Sequence, residues 1–390
     1  MNQHGPNGPP GGAGTASTVH PSVAPARVEL RETDAPLWAI IFAGGIGSRF
    51  WPLSTPSRPK PLLRLVSEQP LLVDTVHRLA PAIPPDRVLV LTSRDIAPAI
   101  RAALATVPEM NILIEPRPLG TAAALAWGAQ EVVRRAGPRT LCCAIHSDLA
   151  VGWPEEFRRV LRRAGAVAER EDALVAVGVK PTRVEPGFGY MRIGDPVDST
   201  HLLADGGVHE VAAFIEKPSA VEASGLIDAG ALWHAGIVVG TAQGMLTQLE
   251  VHTEELRAGL DALRQGNLPA FVGSIRAIDI EHGLLQRHPR LLVIPGDFAW
   301  DDVGTWASLR RARELDDDGN GVVGTAHFVD ADSNIVHTES GAVVLYGVSK
   351  MLVVTLPGLT FVTSLERAAD LKPLLDALPG SMRINPTGAE

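Results

Sequence analysis

The chain has 390 residues, which at roughly 100–200 residues per domain predicts two or three domains. Its 45% hydrophobic and 20% charged residues exclude an intrinsically disordered protein, and no apolar run reaches the roughly 18–20 residues of a transmembrane helix. Asp and Glu number 44 against 35 Lys and Arg, a net charge of −9, so we predict neither nucleic acid nor a membrane as a partner.

The first 35 residues differ in composition from the rest. Between Gly5 and Pro25 the chain consists mainly of Gly, Pro, Ala, Ser and Thr, and nothing in it could form an apolar face. It also lacks the basic start and apolar stretch of a signal peptide. We therefore predict a disordered leader over residues 1–35, either a functional tail or the product of a mis-assigned start codon.

Apolar runs and helical patterns alternate from Leu37 onwards. Such alternation predicts βαβ units and an α/β fold with a Rossmann-like, mostly parallel sheet, in a domain over residues 36–315. Ligands of such sheets bind at the carboxyl ends of the strands. The predicted strands are Leu37–Phe42, Arg87–Leu91, Asn111–Ile114, Thr140–Ile145 and Ala173–Val177, and the predicted helices are Leu71–Leu79, Ile96–Leu104, Ala122–Val133 and Pro154–Ala168.

The pattern changes after about residue 185. The residue pattern predicts two strands of an added β-layer, at Tyr190–Ile193 and Val208–Ile215. After them we predict a helix near Ser219–Ala229, a strand at Leu232–Val239 and helices within Gln243–Arg264.

For the last part of the chain, residues 316–390, we predict a small all-β, β-helix-like appendage with a closing helix over Leu365–Leu378. Its predicted strands are Gly321–Phe328, Asn334–Thr338, Ala342–Tyr346, Met351–Thr355 and Thr360–Thr363.

The two cysteines, Cys142 and Cys143, are neighbours in an apolar run. A disulfide between adjacent residues would be strained, and no Cys/His metal spacing accompanies them. We therefore predict that both are buried free thiols. Because free thiols are typical of a reducing compartment, we also predict a cytoplasmic protein.

A glycine-rich loop follows the first predicted strand. Glycines at this place let backbone N–H groups approach a phosphate or a base, while Arg49 can grip phosphate oxygens and Lys60 adds a point charge. The alternatives are a tight loop without a ligand and a dinucleotide-binding turn, whose pattern fails because Phe50 replaces its third glycine. The residues are Gly44, Gly45 and Gly47, within Phe42–Ser54, followed by Arg58–Pro61.

At this point the chain resembles the sugar-phosphate nucleotidyltransferases, and most closely the mannose-1-phosphate guanylyltransferases. Their signature is a GGxGxR loop, an FWPLS or LWPLS stretch and a Pro-Lys pair. The resemblance extends over roughly residues 36–375. It continues through Pro118–Ala122, His146–Asp148, Val179–Arg183, Gly187–Tyr190, Phe214–Pro218, Trp233–Gly236 and Trp300–Trp306.

The resemblance implies an enzyme that joins GTP and α-D-mannose 1-phosphate into GDP-mannose and pyrophosphate with Mg²⁺. Both reactants are anions, so catalysis of this kind is mainly charge neutralisation and alignment. Arg49 and Lys60 match the family's catalytic cations. Gly120 and Thr121, together with the glycine loop, would bind the nucleotide.

Two aspartates match the family's metal ligands. Asp148 follows a predicted strand, and Asp302 stands in the Asp-Val-Gly motif, with Asp301 the weaker candidate. Carboxylate oxygens are suitable ligands for Mg²⁺. The alternatives are that Asp148 caps the helix beginning at Pro154 and that Asp302 is a turn residue.

Four further residues are candidates for the sugar-phosphate side of the site, and of these Lys217 matches a residue of the family. Lys217 would hold the phosphate of the sugar 1-phosphate, Glu216 would accept sugar hydroxyls, and Gly189 and His234 would line the sugar. For Lys217 the alternative is a salt bridge with Glu216 at the end of a strand.

Departures from the family pattern leave the substrates open. His146 replaces a proline and His234 an asparagine of the family. One alternative is therefore the same reaction on another sugar 1-phosphate or nucleotide. A second is a non-catalytic nucleotide-sugar sensor, against which the intact charged residues argue. The resemblance also suggests a homodimer.

Overall fold

The computed structural model describes residues 32–45, 47–197 and 207–387; most of the predicted leader lies outside these ranges. Within them the strands are β1 Leu37–Phe42, β2 Val88–Ser93, β3 Ile112–Glu115, β4 Leu141–His146, β5 Leu149–Val151, β6 Val175–Val179, β7 Gly189–Pro196, β8 His209–Glu216, β9 Leu232–Thr241, β10 Leu292–Pro295, β11 Trp300–Asp302, β12 Gly321–Val329, β13 Ile335–Tyr346, β14 Met351–Leu356 and β15 Leu359–Ser364.

The helices connect and cover these strands. None in the described ranges is long and apolar enough to cross a membrane. Short 3₁₀ turns form at Ser48–Phe50 and Lys60–Leu62, and a π-helical turn at Glu281–Leu285. The α-helices are α1 Leu71–Leu79, α2 Ala97–Ala103, α3 Thr121–Ala136, α4 Pro154–Glu171, α5 Ala220–Asp228, α6 Ala242–His252, α7 Glu254–Arg257, α8 Leu260–Arg264, α9 Leu268–Ser274, α10 Trp306–Ala312, α11 Lys372–Ala377 and α12 Gly380–Ile384.

The main sheet has nine strands in the order β3-β2-β1-β4-β9-β6-β10-β8-β7. The four strands from β3 to β4 are parallel, whereas β9, β8 and β7 run antiparallel to their neighbours. The sheet is thus mixed, and the prediction of a mostly parallel sheet holds for the half formed by β3, β2, β1 and β4. The prediction of an added β-layer is wrong, because β10 pairs with both β6 and β8 and joins the late strands to the same sheet.

Apolar burial on both faces holds the sheet between helices. The amphipathic α4 packs its buried side on one face, with Phe157 and Leu161 in the core. The alanine-rich α3 lies close to the other face, where Gly128 contacts Ile40 so tightly that a Cβ would clash. The predicted bounds of α1 agree with the structure.

Two three-residue strands form a separate small sheet. β5 and β11 pair antiparallel, with Asp302 opposite Leu149, the residue that follows Asp148. This pairing brings two distant parts of the chain together beside the carboxyl end of β4. Strands this short carry no periodic pattern, so the sequence did not predict them.

The appendage is a four-stranded sheet in the order β12-β13-β14-β15. β12, β13 and β14 are parallel and β15 is antiparallel. β13 is one strand where two were predicted. The single closing helix over Leu365–Leu378 is also wrong: a 3₁₀ turn at Arg367–Ala369 precedes α11, because Pro373 lacks an N–H and fits only a helix's first turn.

Candidate active site

A cleft of about 410 Å³ opens at the carboxyl ends of β1, β3 and β4. Phe42 and His146 are paired at the ends of β1 and β4, so the segments that follow both strands meet here. Ten of the predicted or neighbouring site residues line the cleft. They are Gly44, Gly45, Gly47, Arg49, Lys60, Glu115, Gly120, Thr121, His146 and Asp148.

Gly47 allows the glycine loop to lie directly against the Pro-Lys segment. Its φ of 74° is in the left-handed region, and a Cβ there would come within 3.0 Å of the Lys60 Cβ. The Ser54 hydroxyl donates to the Gly47 carbonyl at 2.5 Å. No residue with a side chain would fit this position without moving Lys60.

Lys60 and Asp148 form an ion pair at the floor of the cleft. The Lys60 Nζ donates to the Asp148 Oδ2 at 2.6 Å, and Lys60 is only 7% exposed. The Lys60 Nζ also lies 5.5 Å from the centre of the Phe50 ring. Burial would raise the pKa of Asp148, but the charges of Lys60 and His146 outweigh it, so this pKa lies below its usual value.

Asp302 lies close to this pair, at the end of β11. Burial raises the pKa of Asp302, and the charge of Asp148 raises it further, while Lys60 and Arg49 oppose the shift. Asp148 precedes β5 and does not cap α4, whose first residue follows Trp153, so the capping alternative is wrong. Two carboxylates with these opposed shifts form a centre that a divalent cation would stabilise.

Asp301 points away from this centre. Its carboxylate accepts hydrogen bonds from Arg311 at 2.7 and 3.1 Å and from Arg183 at 3.3 Å. Among the described residues, no group of three or more His, Cys, Asp or Glu side chains could hold a metal. Two carboxylates, Asp148 and Asp302, could therefore hold a divalent cation only with further ligands from outside these side chains.

Gly120 and Thr121 begin α3 beside the cleft. Gly120 has a φ of 83°, and a Cβ there would clash with the carbonyl of Ile278. The Thr121 Oγ1 accepts a hydrogen bond from the Ile280 N–H at 2.9 Å. These contacts fix the segment before Glu281 against the start of α3.

The predicted sugar-phosphate residues gather at the ends of β7, β8 and β9. Lys217 forms an ion pair with Glu216, which is the contact that the sequence offered as the alternative reading. Lys217 remains 62% exposed along its side chain, so its ammonium group is accessible. Gly189 has no room for a Cβ, because the Glu216 carboxylate and the Phe214 ring lie within 3.0 Å of that position.

His234 is buried beside this group. Its Nδ1 has no hydrogen-bond partner among the described residues, and burial lowers its pKa to about 4. A neutral imidazole with a spare nitrogen can bond to a hydroxyl group. The unpartnered nitrogen of His234 is suited to a polar ligand that reaches it.

Glu281 is a site residue that the sequence did not indicate. It begins the π-helical turn, and its Oε1 lies 3.8 Å from the His146 Nε2. Burial would raise the pKa of Glu281, but the charges of His146 and His234 lower it to about 2. π-Helical turns are common at functional sites. No motif around Glu281 could have identified it before the fold was known.

Glu115 is a second site residue that was missed. It ends β3, lines the cleft, and has an Oε1 that is buried without a hydrogen-bond partner among the described residues. Burial raises the pKa of Glu115 to about 7. A carboxyl group at the carboxyl end of a predicted strand was the available signal, as it was for Asp148.

Comparisons with known proteins identify the family of the chain. Residues 38–319 match the family model described as Nucleotidyl transferase. A mannose-1-phosphate guanylyltransferase of Sinorhizobium fredii is 30% identical over 87% of this chain and 67% of its own length. The mannose-1-phosphate guanylyltransferase ManC of Salmonella typhimurium is 28% identical over 91% of this chain and 75% of its own.

A solved structure is also similar. It is described as a mannose-1-phosphate geranyltransferase from Thermus thermophilus and superposes with a TM-score of 0.78 at 30% identity, covering 87% of this chain and 98% of its own. The chain therefore belongs to the nucleotidyl transferase family, enzymes that transfer a nucleotidyl group, and within it is similar to the mannose-1-phosphate guanylyltransferases.

Proposed function

We propose that the protein joins GTP and α-D-mannose 1-phosphate to give GDP-mannose and pyrophosphate. The observation that carries the proposal is the Lys60–Asp148 pair beside Asp302, set beneath a glycine loop at the carboxyl ends of parallel strands. The names of the similar proteins support the same substrates. Other sugars or bases, and a non-catalytic sensor, are outcomes of the test below.

The reaction needs no covalent protein intermediate. A phosphate oxygen of mannose 1-phosphate bonds to the α-phosphorus of GTP, and the bond from that phosphorus to the β-bridging oxygen breaks. Pyrophosphate leaves with the electron pair. Each step moves charge among anions, so the site must chiefly align the two substrates and neutralise the charge.

The chain's own residues divide this work. Backbone N–H groups of Gly44, Gly45 and Gly47 would face the triphosphate, and Arg49 and Lys60 would stabilise the negative charge that develops on it. Asp148 and Asp302 would hold Mg²⁺, which when bound supplies charge neutralisation at the reacting phosphates.

At the end of β8, Lys217 would bind the phosphate of the sugar 1-phosphate. Glu216 and His234 would bind sugar hydroxyls, and Gly189 leaves room for the Glu216 carboxylate. Gly120 and Thr121 would lie along the nucleotide at the start of α3.

Glu115 supports guanine as the base. Guanine presents two adjacent donors, the N1–H and the 2-amino group, and a carboxylate can accept from both. Adenine has no such pair of donors. In support of this role, Glu115 lines the cleft, and its buried Oε1 lacks a hydrogen-bond partner among the described residues.

The architecture and setting are proposed in the same way. We infer a Rossmann-like nucleotidyltransferase domain over residues 36–315 and a β-helix-like domain over 316–390, supported by parallel strands joined in succession. The buried free thiols Cys142 and Cys143 support the cytoplasm as the location.

A homodimer is supported by exposed apolar side chains on the appendage. Val344 and Tyr346 lie at the end of β13, which pairs there with β12 and not with β14, and the exposed Val329 is the partner of Tyr346 in that pairing. An open strand edge with apolar side chains is a surface that a second copy would cover. Sedimentation of Tyr346→Lys against the wild type tests this.

Pyrophosphate release from a panel of nucleotides and sugar phosphates tests the activity. With Mg²⁺, the pair of GTP and mannose 1-phosphate should give the highest kcat/KM. If another nucleotide and sugar phosphate gave a higher kcat/KM, they would be the substrates in place of GTP and mannose 1-phosphate. No turnover with any pair would support the sensor.

A further inference from the structure

A chain of polar side chains joins the appendage to the segment that carries Lys60. Glu339, in β13, accepts two hydrogen bonds from the Arg58 guanidinium, one of them at 2.7 Å from Nη1 to Oε2. Such a two-point pair fixes both distance and orientation. Arg58 stands two residues before Lys60, so the appendage holds one end of the signature segment.

The other end of the segment is held by the same chain of groups. Arg313, just after α10, donates from Nε to the Leu65 carbonyl at 2.7 Å and from Nη2 to the His337 Nδ1 at 3.2 Å. The His337 Nε2 lies 3.4 Å from the Glu339 Oε1. Because Nδ1 accepts from the guanidinium, Nε2 carries the proton and donates to Glu339.

Burial makes these links specific. His337 is 1% exposed and Arg313 is 7% exposed, so a partner lost here is not replaced freely by water. Burial lowers the pKa of His337, and the charge of Arg313 adds to this, which keeps the imidazole neutral. Burial opposes ionisation of Glu339, but its bonds to His337 and Arg58 lower its pKa to about 2, which keeps it ionised.

Lys60 lies between the two tethered points. The 3₁₀ turn Lys60–Leu62 connects them, and the Lys60 ammonium group is held on Asp148. α10, which leads to Arg313, begins four residues after Asp302. The polar chain thus links the backbone around the lysine to the segment that follows Asp302.

The same surfaces are joined by apolar packing. Phe50 and Leu63, on either side of Lys60, share one buried cluster with Trp306 of α10 and with Ile335 and Leu352 of the appendage. This packing can keep the appendage attached when one polar contact is removed. The polar contacts then fix where the lysine segment lies within the packed assembly.

We propose that Glu339 is a positioning residue that acts through Arg58 to place the Lys60 ammonium group, so that the β appendage completes the active-site scaffold. The inference rests on the nucleotidyl transfer proposed above. Misplacing a group by about 1 Å can cost roughly 100-fold in rate, so loss of the Glu339 carboxylate should reach catalysis without a contact to substrate.

The test compares Glu339→Gln, which keeps the shape and removes the charge, with Glu366→Gln, an exposed carboxylate of the same part of the chain. We expect kcat of Glu339→Gln to fall at least tenfold at saturating Mg²⁺ and substrates, with the melting curve showing folded protein at the assay temperature. Glu366→Gln should match the wild type. Arg58→Lys should also lower kcat, because it loses the two-point contact.

Chemical labelling reads the position of Lys60 without using activity. Pyridoxal phosphate followed by borohydride labels accessible lysines, and peptide mass spectrometry gives the rate at each one. Lys60 labelling should rise at least threefold in Glu339→Gln, while labelling of the exposed Lys217 stays unchanged.

An unchanged Lys60 labelling rate overturns the inference, whatever the turnover of the wild type. Where the wild type turns over, a kcat within twofold of it in Glu339→Gln also overturns the inference, as does a loss that only follows the loss of folded protein. A wild type without turnover rejects the proposed function, and labelling alone then decides the role of Glu339.

Discussion

Gly47→Ala tests how far the site depends on the close packing of the glycine loop against Lys60. The added methyl group would sit within 3.0 Å of the Lys60 Cβ, whereas carbon atoms in contact lie about 3.5–4.0 Å apart. Lys60 or the loop must therefore shift by roughly 1 Å. A φ of 74° also costs an L-residue about 1–2 kcal/mol.

The two costs predict both a stability and a rate effect. Overpacking of this kind costs about 1–3 kcal/mol. Together with the cost of the left-handed backbone, it should lower the free energy of unfolding by about 2–5 kcal/mol. The displaced lysine should lower kcat by about 100-fold. Urea unfolding measures the first effect, and pyrophosphate release at saturating substrates, below the melting temperature, measures the second.

Gly45→Ala is the matched control for stability. Nothing lies within 4 Å of the Cβ position at Gly45, and its backbone is not left-handed. Its free energy of unfolding should stay within about 0.5 kcal/mol of the wild type. If Gly47→Ala is as stable as this control and keeps kcat within a few-fold of the wild type, the packing of the loop on Lys60 does not act as described.

Three other substitutions test separate parts of the site. Lys60→Ala should lower kcat by about 10²–10³-fold, as loss of one preorganised donor does, with the circular dichroism spectrum retained. Asp302→Asn should raise the Mg²⁺ concentration needed for half-maximal rate. Asp301→Asn should leave that concentration unchanged, but it should weaken the contacts with Arg183 and Arg311 and lower the free energy of unfolding by about 1–3 kcal/mol. The KM for GTP should fall as pH rises through about 7, because the ionised Glu115 accepts from guanine, and this dependence should vanish in Glu115→Gln.

Each of these expectations has an opposing result. A near-normal kcat in Lys60→Ala would remove that residue from the reaction. An equal Mg²⁺ response of the two aspartate variants would reject Asp302 as a ligand. A GTP profile with the same pH dependence in Glu115→Gln would assign the titration to another group.

The parts of the site next to long apolar strands could be predicted from the sequence. β1 and β4 are continuous apolar runs, so the glycine loop and Asp148 were placed at their carboxyl ends, where the structure has them. Local composition was sufficient because a buried strand needs only apolar side chains and a sharp ending.

The parts that depend on distant pairing could not be predicted in this way. Asp302 reaches Asp148 only through β5 and β11, whose three residues each are stabilised by pairing with one another and not by any periodic pattern. Glu281 reaches His146 from a π-helical turn that Thr121 helps to fix. For Asp302 a family resemblance supplied the candidate, and for Glu281 nothing did.

The appendage shows the same limit. Short strand patterns between Gly, Asp and Ser turns predicted its strands, but residues 339–341 were interpreted as such a turn, whereas β13 continues through them. The link from Glu339 to Arg58 joins groups that are 281 residues apart in the chain, and only the fold brings them together.

Exchange of ³²P-labelled pyrophosphate into GTP tests the central claim most directly. With Mg²⁺ present, direct transfer to the sugar phosphate predicts exchange when mannose 1-phosphate is added and none when it is omitted. Exchange without mannose 1-phosphate would require a covalent guanylyl-enzyme, and no exchange in its presence would contradict nucleotidyl transfer between these substrates.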